Sequence, residues 1–202
     1  MSAREEILGR VRAATAAVRD APAVEVPRGY RTSTDDGLDT FLDRLSHMDA
    51  DVECVERAEL DRRVPALLAE RGLHRVVVPD GIPGEWVRQV EALHDDPPLD
   101  PHALDRADGV LTTCAVAVAT TGTIVLDASA GMGRRALSLV PDHHLCVVQA
   151  EQLVSSVPEA IAALDPRRPL TFFTGPSATV DIEMERVSGV HGPRTLAVLV
   201  AR

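Results

Sequence analysis

The chain contains almost no aromatic side chains, and this limits the kind of core that it can build. Apolar residues make up 45% of the 202 residues, whereas aromatic residues make up only 2%. The core must therefore consist of valine, leucine, isoleucine and alanine. Strands rich in these residues are typical of parallel sheets that are covered by helices on both faces. The composition predicts an α/β fold, and the length suits one such domain with an added arm.

Helical and strand patterns alternate along most of the chain. The apolar spacing predicts a helix over residues 38–45, with Asp35 or Asp36 as its N-terminal cap. The β-branched tract at 109–126 predicts two tightly joined strands. The other predicted elements are helices at 60–70, at 151–164 and around Trp86, Val90 and Leu93, and strands at 52–55, 75–78, 144–149, 170–173 and 196–200. Together they predict an open sheet, mixed or parallel, flanked by helices.

The first residues form a separate pattern. Apolar residues at positions 7, 11, 14 and 18 fall on one face of a helix. Proline and glycine at positions 22, 27 and 29 then indicate a linker. We therefore expect an N-terminal helical arm and linker over residues 1–31, packed on its own body or on a neighbouring subunit, and an α/β domain over residues 32–202.

The charge and hydropathy of the chain exclude several partners. A formal net charge of -10 argues against binding to a nucleic-acid backbone or to an anionic membrane. No apolar run approaches the roughly 20 residues that a membrane span needs, and the first residues lack the apolar core of a signal peptide. The expected location is the cytoplasm.

Missing residue types exclude several chemistries. The chain has no lysine, which excludes Schiff-base catalysis, covalently held pyridoxal phosphate and a Walker A lysine. Cys54, Cys114 and Cys146 form no closely spaced pair, and the adjacent His143 and His144 would point to opposite faces of a strand. We therefore predict no metal site and no cofactor in this chain.

Two glycine-bearing segments are candidates for binding an anion. Thr121, Gly122 and Thr123 combine a flexible backbone with two hydroxyl donors. The alternative is a hairpin turn whose threonines satisfy their own backbone. The second segment begins at Gly175, and a shared pocket for a small anion would require Gly122 and Gly175 to meet in space.

The segment after Gly175 carries candidate acids and caps. Ser177 or Thr179 can cap a helix with apolar residues at 180, 184 and 187 along one face. Asp181 and Glu183 would lie near the start of that helix, where acids favour the helix dipole. Beyond this structural role, either acid is a candidate for proton transfer or for binding a substrate hydroxyl.

A histidine and an arginine follow in a glycine-rich stretch. His191 lies between Gly189 and Gly192, and Arg194 follows two residues later. Mobile backbone suits a histidine that faces a ligand, and arginine suits capture of a carboxylate or phosphate. An ordinary surface loop is the alternative. Because a strand precedes and another follows the whole unit, we expect it at the carboxyl edge of the sheet, where open α/β folds bind ligands.

These segments resemble the signature blocks of a known family. Residues 119–126, 175–183 and 189–194 are similar to the two blocks of the LUD-domain family, in particular its lactate-utilisation type without an iron–sulfur cluster. The resemblance covers residues 38–202. Family members commonly carry a glutamate just before the Thr-Gly-Thr, whereas this chain has Thr120. Chemistry that relatives would assign to that glutamate is not expected here.

The resemblance implies a fold similar to sugar-phosphate isomerases and CoA transferases, and a role beside two iron–sulfur proteins in oxidising L-lactate to pyruvate. The iron–sulfur clusters would belong to those partners. In this reading a small carboxylate or phosphate binds at a rim formed by Thr121, Gly122, Thr123, Gly175, Ser177, Thr179 and Arg194, and Asp181, Glu183 or His191 transfers the proton. The alternatives are a stand-alone enzyme acting on a sugar phosphate or acyl-CoA-type substrate, and a scaffold subunit without catalysis.

Overall fold

The computed structural model describes residues 2–18, 24–179, 187–189 and 191–202. Contacts divide the chain into two compact units, Met1–Arg31 and Thr32–Arg202. The first unit contains helix α1 (Ala3–Thr15), followed by a short 3-10 turn at Ala16–Val18. Ser2 and Glu5 form a capping box at its start, in which each side chain accepts a hydrogen bond from the other residue's backbone N–H.

The second unit contains the remaining helices and the strands. Its helices are α2 (Leu38–His47), α3 (Leu60–Glu70), α4 (Pro101–Asp105), α5 (Arg135–Leu139) and α6 (Val157–Ala163). Its strands are β1 (Asp51–Val55), β2 (Arg75–Val77), β3 (Glu91–Leu93), β4 (Gly109–Thr113), β5 (Val116–Val118), β6 (Thr123–Leu126), β7 (His143–Gln149), β8 (Leu153–Val154), β9 (Thr171–Phe173), β10 (Ala178–Thr179), β11 (Val187–Ser188) and β12 (Thr195–Ala201).

A six-stranded parallel sheet forms the centre of this unit. Its strand order is β1-β12-β7-β4-β2-β3, and every neighbouring pair runs parallel. Successive residues of a strand face opposite sides of the sheet. Accordingly Cys146 of β7 lies in the same apolar cluster as Phe41 of α2, whereas Leu145 lies in the cluster of Val64 of α3. The predicted α/β fold with a mostly parallel sheet flanked by helices is confirmed. Its likeness to sugar-phosphate isomerases and CoA transferases stays a prediction.

A smaller four-stranded sheet carries part of the candidate site. Its order is β8-β5-β6-β9, with β5 and β6 forming an antiparallel hairpin and β9 pairing antiparallel with β6. The tract at 109–126 therefore contains three strands rather than the predicted two. Its first strand, β4, joins the large sheet, and only β5 and β6 form the tight antiparallel pair.

Three local predictions were wrong. In these cases the local structure depends on pairing with another strand or on the residues at the start of a helix. Around Trp86 the chain forms a 3-10 turn at Gly84–Val87 and then strand β3, which pairs with β2. The predicted helix over residues 151–164 begins only at Val157, where Ser156 and Glu159 form a capping box. Helix α2 begins after Gly37, which has no side chain to cap it, and the Asp36 carboxylate instead accepts a hydrogen bond from the Thr40 hydroxyl.

Among the described residues, each helix is too short or too polar to cross a lipid bilayer.

Candidate functional site

The Thr-Gly-Thr segment is the turn of the β5–β6 hairpin. A 3-10 turn at Ala119–Thr121 follows β5, and Gly122 then adopts a left-handed conformation with φ of 63° before β6 begins. The Thr121 and Thr123 hydroxyl oxygens lie 2.7 Å apart, so they hydrogen-bond to each other. The segment is therefore a hairpin turn as in the predicted alternative, but the two threonine hydroxyl groups bond to each other rather than to their own backbone.

The two glycine-bearing bends meet in space. Strands β6 and β9 pair so that Ile124 faces Phe173, and one residue further along, the hydroxyl oxygens of Thr123 and Thr174 lie 3.0 Å apart. Gly122 directly precedes Thr123, and Gly175 directly follows Thr174. The two segments that the sequence analysis singled out therefore form one structural unit.

Helix α2 fills the space beside both glycines. A Cβ atom on Gly122 would lie 2.8 Å from Cβ of Arg44, and one on Gly175 would lie 2.9 Å from the Met48 carbonyl oxygen. Arg44 belongs to α2, and Met48 directly follows it. A side chain at either position would collide with these atoms, so glycine is required here by packing.

Ser177 holds the following segment together. Its backbone N–H donates to the Pro193 carbonyl oxygen at 2.8 Å, and its carbonyl oxygen accepts from the Gly189 N–H at 2.9 Å. Its hydroxyl oxygen accepts from the His191 N–H at 3.2 Å. The prediction that Ser177 or Thr179 starts a helix was wrong, because Thr179 lies in β10 and pairs antiparallel with Val187 of β11.

A small cavity lies between this segment and the smaller sheet. Its volume is about 160 Å³. The described residues that line it are Leu139, Phe172, Phe173, Thr174, Gly175, Ser177, His191, Gly192 and Pro193. The cavity thus combines an apolar wall with hydroxyl groups and an imidazole, which is the usual chemistry of a small-ligand site.

The structure brings together some of the predicted site residues and separates others. Gly175, Ser177 and His191 line the cavity, whereas Thr121, Gly122, Thr123 and Arg194 are not among its described lining residues. Thr123 reaches the cavity only indirectly, through its contact with Thr174. Asp181 and Glu183 lie outside the described residues, as do the predicted helix positions 180 and 184.

Arg194 is engaged by an acid that the sequence analysis missed. Its Nε atom lies 3.5 Å from Oδ1 of Asp142 in an exposed ion pair. Because β12 and β7 run parallel with Thr195 opposite His143, the residues preceding each of them become neighbours. Asp142 directly precedes His143, so knowledge of this strand register would have identified Asp142 as the partner of Arg194.

The site lies at the amino edge of the large sheet. Residues 191–194 lead into β12, and His143, the first residue of β7, pairs with Thr195 at the same edge. The expectation of a carboxyl-edge position for this loop was therefore wrong. A carboxyl-edge position would require this loop to follow a strand of the large sheet. Instead, the loop directly precedes β12, a strand of that sheet.

A buried histidine lies behind the cavity wall. The His144 ring meets the Phe173 ring edge-on, with 5.0 Å between their centroids, and its Nε2 atom lies 2.7 Å from the Thr112 hydroxyl oxygen. The side chain is 1% exposed, and this burial lowers the pKa of His144 to about 4. His144 is therefore neutral at physiological pH. Within the described part of the chain, its Nδ1 atom has no hydrogen-bond partner.

The cysteines are packed in the interior rather than arranged as ligands. Cys114 and Cys146 are buried and Cys54 is half-buried. A hydrogen bond with Cys146, together with burial, raises the pKa of Cys114 well above its ordinary value, which keeps the thiol protonated. Over residues 2–18, 24–179, 187–189 and 191–202, no group of three or more histidine, cysteine, aspartate or glutamate side chains is placed to hold a metal ion.

The protein thus has an α/β fold with a mostly parallel sheet and a small cavity at the amino edge of that sheet. A sequence model of the LUD domain matches residues 101–201. The chain belongs to the LUD-domain family.

Several known proteins are similar to this chain over most of its length. Lactate utilization protein C of Deinococcus radiodurans is 44% identical over 203 residues, covering 98% of this chain and 95% of that protein. Lactate utilization protein C of Geobacillus kaustophilus is 28% identical over 202 residues, covering 89% of this chain and 83% of that protein. A crystal structure of a duf162 family protein from Deinococcus radiodurans superposes with a TM-score of 0.68 at 43% identity, covering 81% of this chain and 95% of that one.

Proposed function

We propose that this protein is an accessory, substrate-handling subunit of a cytosolic complex that oxidises L-lactate to pyruvate. The observation that carries the proposal is the similarity, over nearly the whole chain, to a protein named lactate utilization protein C. The proposed partners are two iron–sulfur proteins. In this view the cavity beside Ser177 and His191 receives a small hydroxy acid.

The size and lining of the cavity support a small ligand. Its volume of about 160 Å³ is about that of five water molecules in the liquid and suits a ligand with only a few heavy atoms. The Thr174 and Ser177 hydroxyl groups can hydrogen-bond to a carboxylate, and the walls formed by Leu139 and Phe173 suit a methyl group. Lactate has both a carboxylate and a methyl group, and it also carries the hydroxyl group that is oxidised.

The chemistry of the reaction divides between this chain and its partners. Oxidation of L-lactate to pyruvate releases two electrons and two protons, one of them from the hydroxyl group. His191 lines the cavity and is the described side chain suited to accept that hydroxyl proton. The two electrons would pass to iron–sulfur clusters in the partner proteins, and the second proton, which leaves C2, would be taken up there as well. Arg194 forms an ion pair with Asp142, so it would hold a substrate carboxylate only after exchanging this partner.

Growth of a deletion strain tests the role in lactate use. We expect deletion of the gene to abolish growth on L-lactate and to preserve growth on pyruvate, because the lesion lies before pyruvate. Affinity purification of the tagged protein from lactate-grown cells should recover two iron–sulfur proteins. Normal growth of the deletion strain on both carbon sources would reject the proposal.

Complementation with variants tests whether the cavity takes part. His191→Ala should fail to restore lactate oxidation while still co-purifying with the partners. His102→Ala is the matched control, since His102 is an exposed residue of α4 outside the cavity lining. If His191→Ala restores wild-type lactate oxidation, the cavity is not the substrate site, and the protein acts as a scaffold.

A further inference from the structure

The large sheet has a point where its strand order reverses. From β2 the chain moves outward to β3 at one edge, then crosses back past β2 to β4, and continues through β7 to β12 in the other direction. In open α/β sheets, such a reversal opens a crevice outside the carboxyl ends of the strands, and ligands bind there. The crevice expected here lies between the ends of β2 and β4, on the edge opposite to the His191 cavity.

A cavity of about 370 Å³ lies beside this position, at the carboxyl ends of β2 and β3. Asp80 follows β2, Asp95 follows β3, and the loop over residues 128–133 closes the remaining side. That loop bridges the ends of β2 and β4, because the Gly131 N–H donates to the Asp80 carbonyl oxygen after β2 and the Gly131 carbonyl oxygen accepts from the N–H of Thr113, the last residue of β4. The described lining residues are Pro79, Asp80, Asp95, Ala128, Ser129, Ala130, Gly133 and Leu137.

The nearby arginine is already bound by the protein. Arg134 donates from Nε and Nη2 to the two carboxylate oxygens of Asp95, at 2.7 and 2.9 Å, and also from Nη2 to the Leu99 carbonyl oxygen at 2.6 Å. This pairing with Arg134 lowers the pKa of Asp95. The guanidinium group is therefore committed to the protein, and its charge is balanced by Asp95. A phosphate or carboxylate would find little net positive charge here.

The remaining polar groups of the cavity favour a ligand that donates hydrogen bonds. The Asp80 side chain is exposed, and the Ser129 side chain is half-buried. A carboxylate can accept hydrogen bonds from two neighbouring hydroxyl groups at once, as an acidic residue does for ribose in dinucleotide-binding folds. Pro79 and Leu137 are buried and supply an apolar wall.

We propose that this cavity beside the reversal of the strand order binds a neutral nucleoside-type ligand through its ribose hydroxyl groups, with Asp80 as the main acceptor. The volume lies at the lower end of the range of small-molecule sites and accommodates a nucleoside rather than a dinucleotide. The apolar wall suits the face of a base. This site is separate from the proposed lactate site, because the two cavities lie at opposite edges of the sheet.

Titration of the full-length, ¹⁵N-labelled protein with adenosine tests the proposal. We expect adenosine to shift the backbone amide resonances of residues 128–133. 2′,3′-Dideoxyadenosine, which lacks the 2′ and 3′ hydroxyl groups of the ribose, should bind at least about tenfold more weakly than adenosine. Adenosine monophosphate should bind no more tightly than adenosine, because the nearby guanidinium is already paired. The proposal is overturned if adenosine causes no shift in this loop, or if the monophosphate binds tenfold better.

Two variants locate the binding within the cavity. Asp80→Ala should weaken adenosine binding about tenfold, and Ala130→Trp should block it by filling the space. Both positions are exposed, so the fold should tolerate the changes. Asp35→Ala, which removes another exposed carboxylate outside the lining, is the control and should bind like the wild type. Unchanged binding in both cavity variants would place adenosine elsewhere and refute the assignment.

Discussion

His144 should make the stability of this protein fall steeply in mildly acidic solution. Burial lowers the pKa of the ring from its ordinary value of 6.5 to about 4. The unfolded chain therefore takes up a proton between pH 6.5 and pH 4 that the folded protein does not bind. As far as His144 is concerned, the free energy of unfolding has its full value above pH 6.5. It falls as the pH is lowered from 6.5 to 4 and changes no further below pH 4.

The expected magnitude follows from the two pKa values. At about 1.4 kcal/mol per pH unit, the full difference corresponds to about 3 kcal/mol. At pH 5.0, about 2 kcal/mol of this would already be lost. Solvent screens the charge of this side chain little, because it is only 1% exposed.

Urea denaturation at pH 7.5 and pH 5.0 measures this loss. His144→Gln cannot titrate, and its amide can still hydrogen-bond to Thr112. The variant should be less stable than the wild type at pH 7.5, because it loses ring packing against Phe173. The drop in its unfolding free energy between the two pH values should be smaller than that of the wild type by about 2 kcal/mol.

The control for this experiment is His102→Gln, which changes an exposed histidine and should keep the wild-type pH dependence. Carboxyl groups that titrate in the same range are present in all three proteins and cancel in the comparison. If His144→Gln loses as much stability between pH 7.5 and pH 5.0 as the wild type does, the buried ring is not the cause and the reasoning fails.

Two further predictions concern packing and charge. Gly122→Ala should lower the unfolding free energy by about 2–4 kcal/mol, because it adds left-handed backbone strain to an overlap with α2. Gly72 has a similar φ of 68° but open space around it, so Gly72→Ala should lower the unfolding free energy by only about 1–2 kcal/mol. Equal losses of the two variants in thermal or urea unfolding would show that the overlap at Gly122 is relieved. Arg63→Gln should cost about 1–2 kcal/mol in low salt, because this half-buried guanidinium binds two carboxylates, and the cost should shrink in 1 M salt. Arg62→Gln, which removes one exposed pair, should cost about 0.5 kcal/mol or less, and a loss as large as that of Arg63→Gln would contradict the argument.

Elements with strong local patterns could be predicted from the sequence. Helix α3 spans Leu60–Glu70 as the apolar spacing predicts, and the apolar tract at 196–200 is the centre of β12. Elements that depend on a distant partner could not. Strand β3 has only three residues, and its hydrogen bonds to β2 come from residues 16 positions earlier in the chain, so no local pattern distinguishes it from a helix turn.

The same division holds for the candidate site. Gly175, Ser177 and His191 are close in sequence, and their glycine-rich surroundings marked them as candidates. Asp142 and Thr174 become neighbours of Arg194 and Thr123 only through sheet register, which the sequence does not display. Sequence patterns thus identify the segment that forms a site, while strand pairing decides which side chains face each other there.

Gly122 and Gly175 show why a glycine near a cavity is weak support for ligand contact. Both resemble anion-binding turns in sequence, yet the missing side chain at each leaves room for α2. Glycine at such a position is explained by stability alone, so substitution there would reduce activity through unfolding whether or not a ligand binds nearby. Side chains that line the cavity and can be removed without crowding α2, such as His191, separate binding from folding. Tests of the lactate site should therefore change the cavity lining and leave the glycines in place.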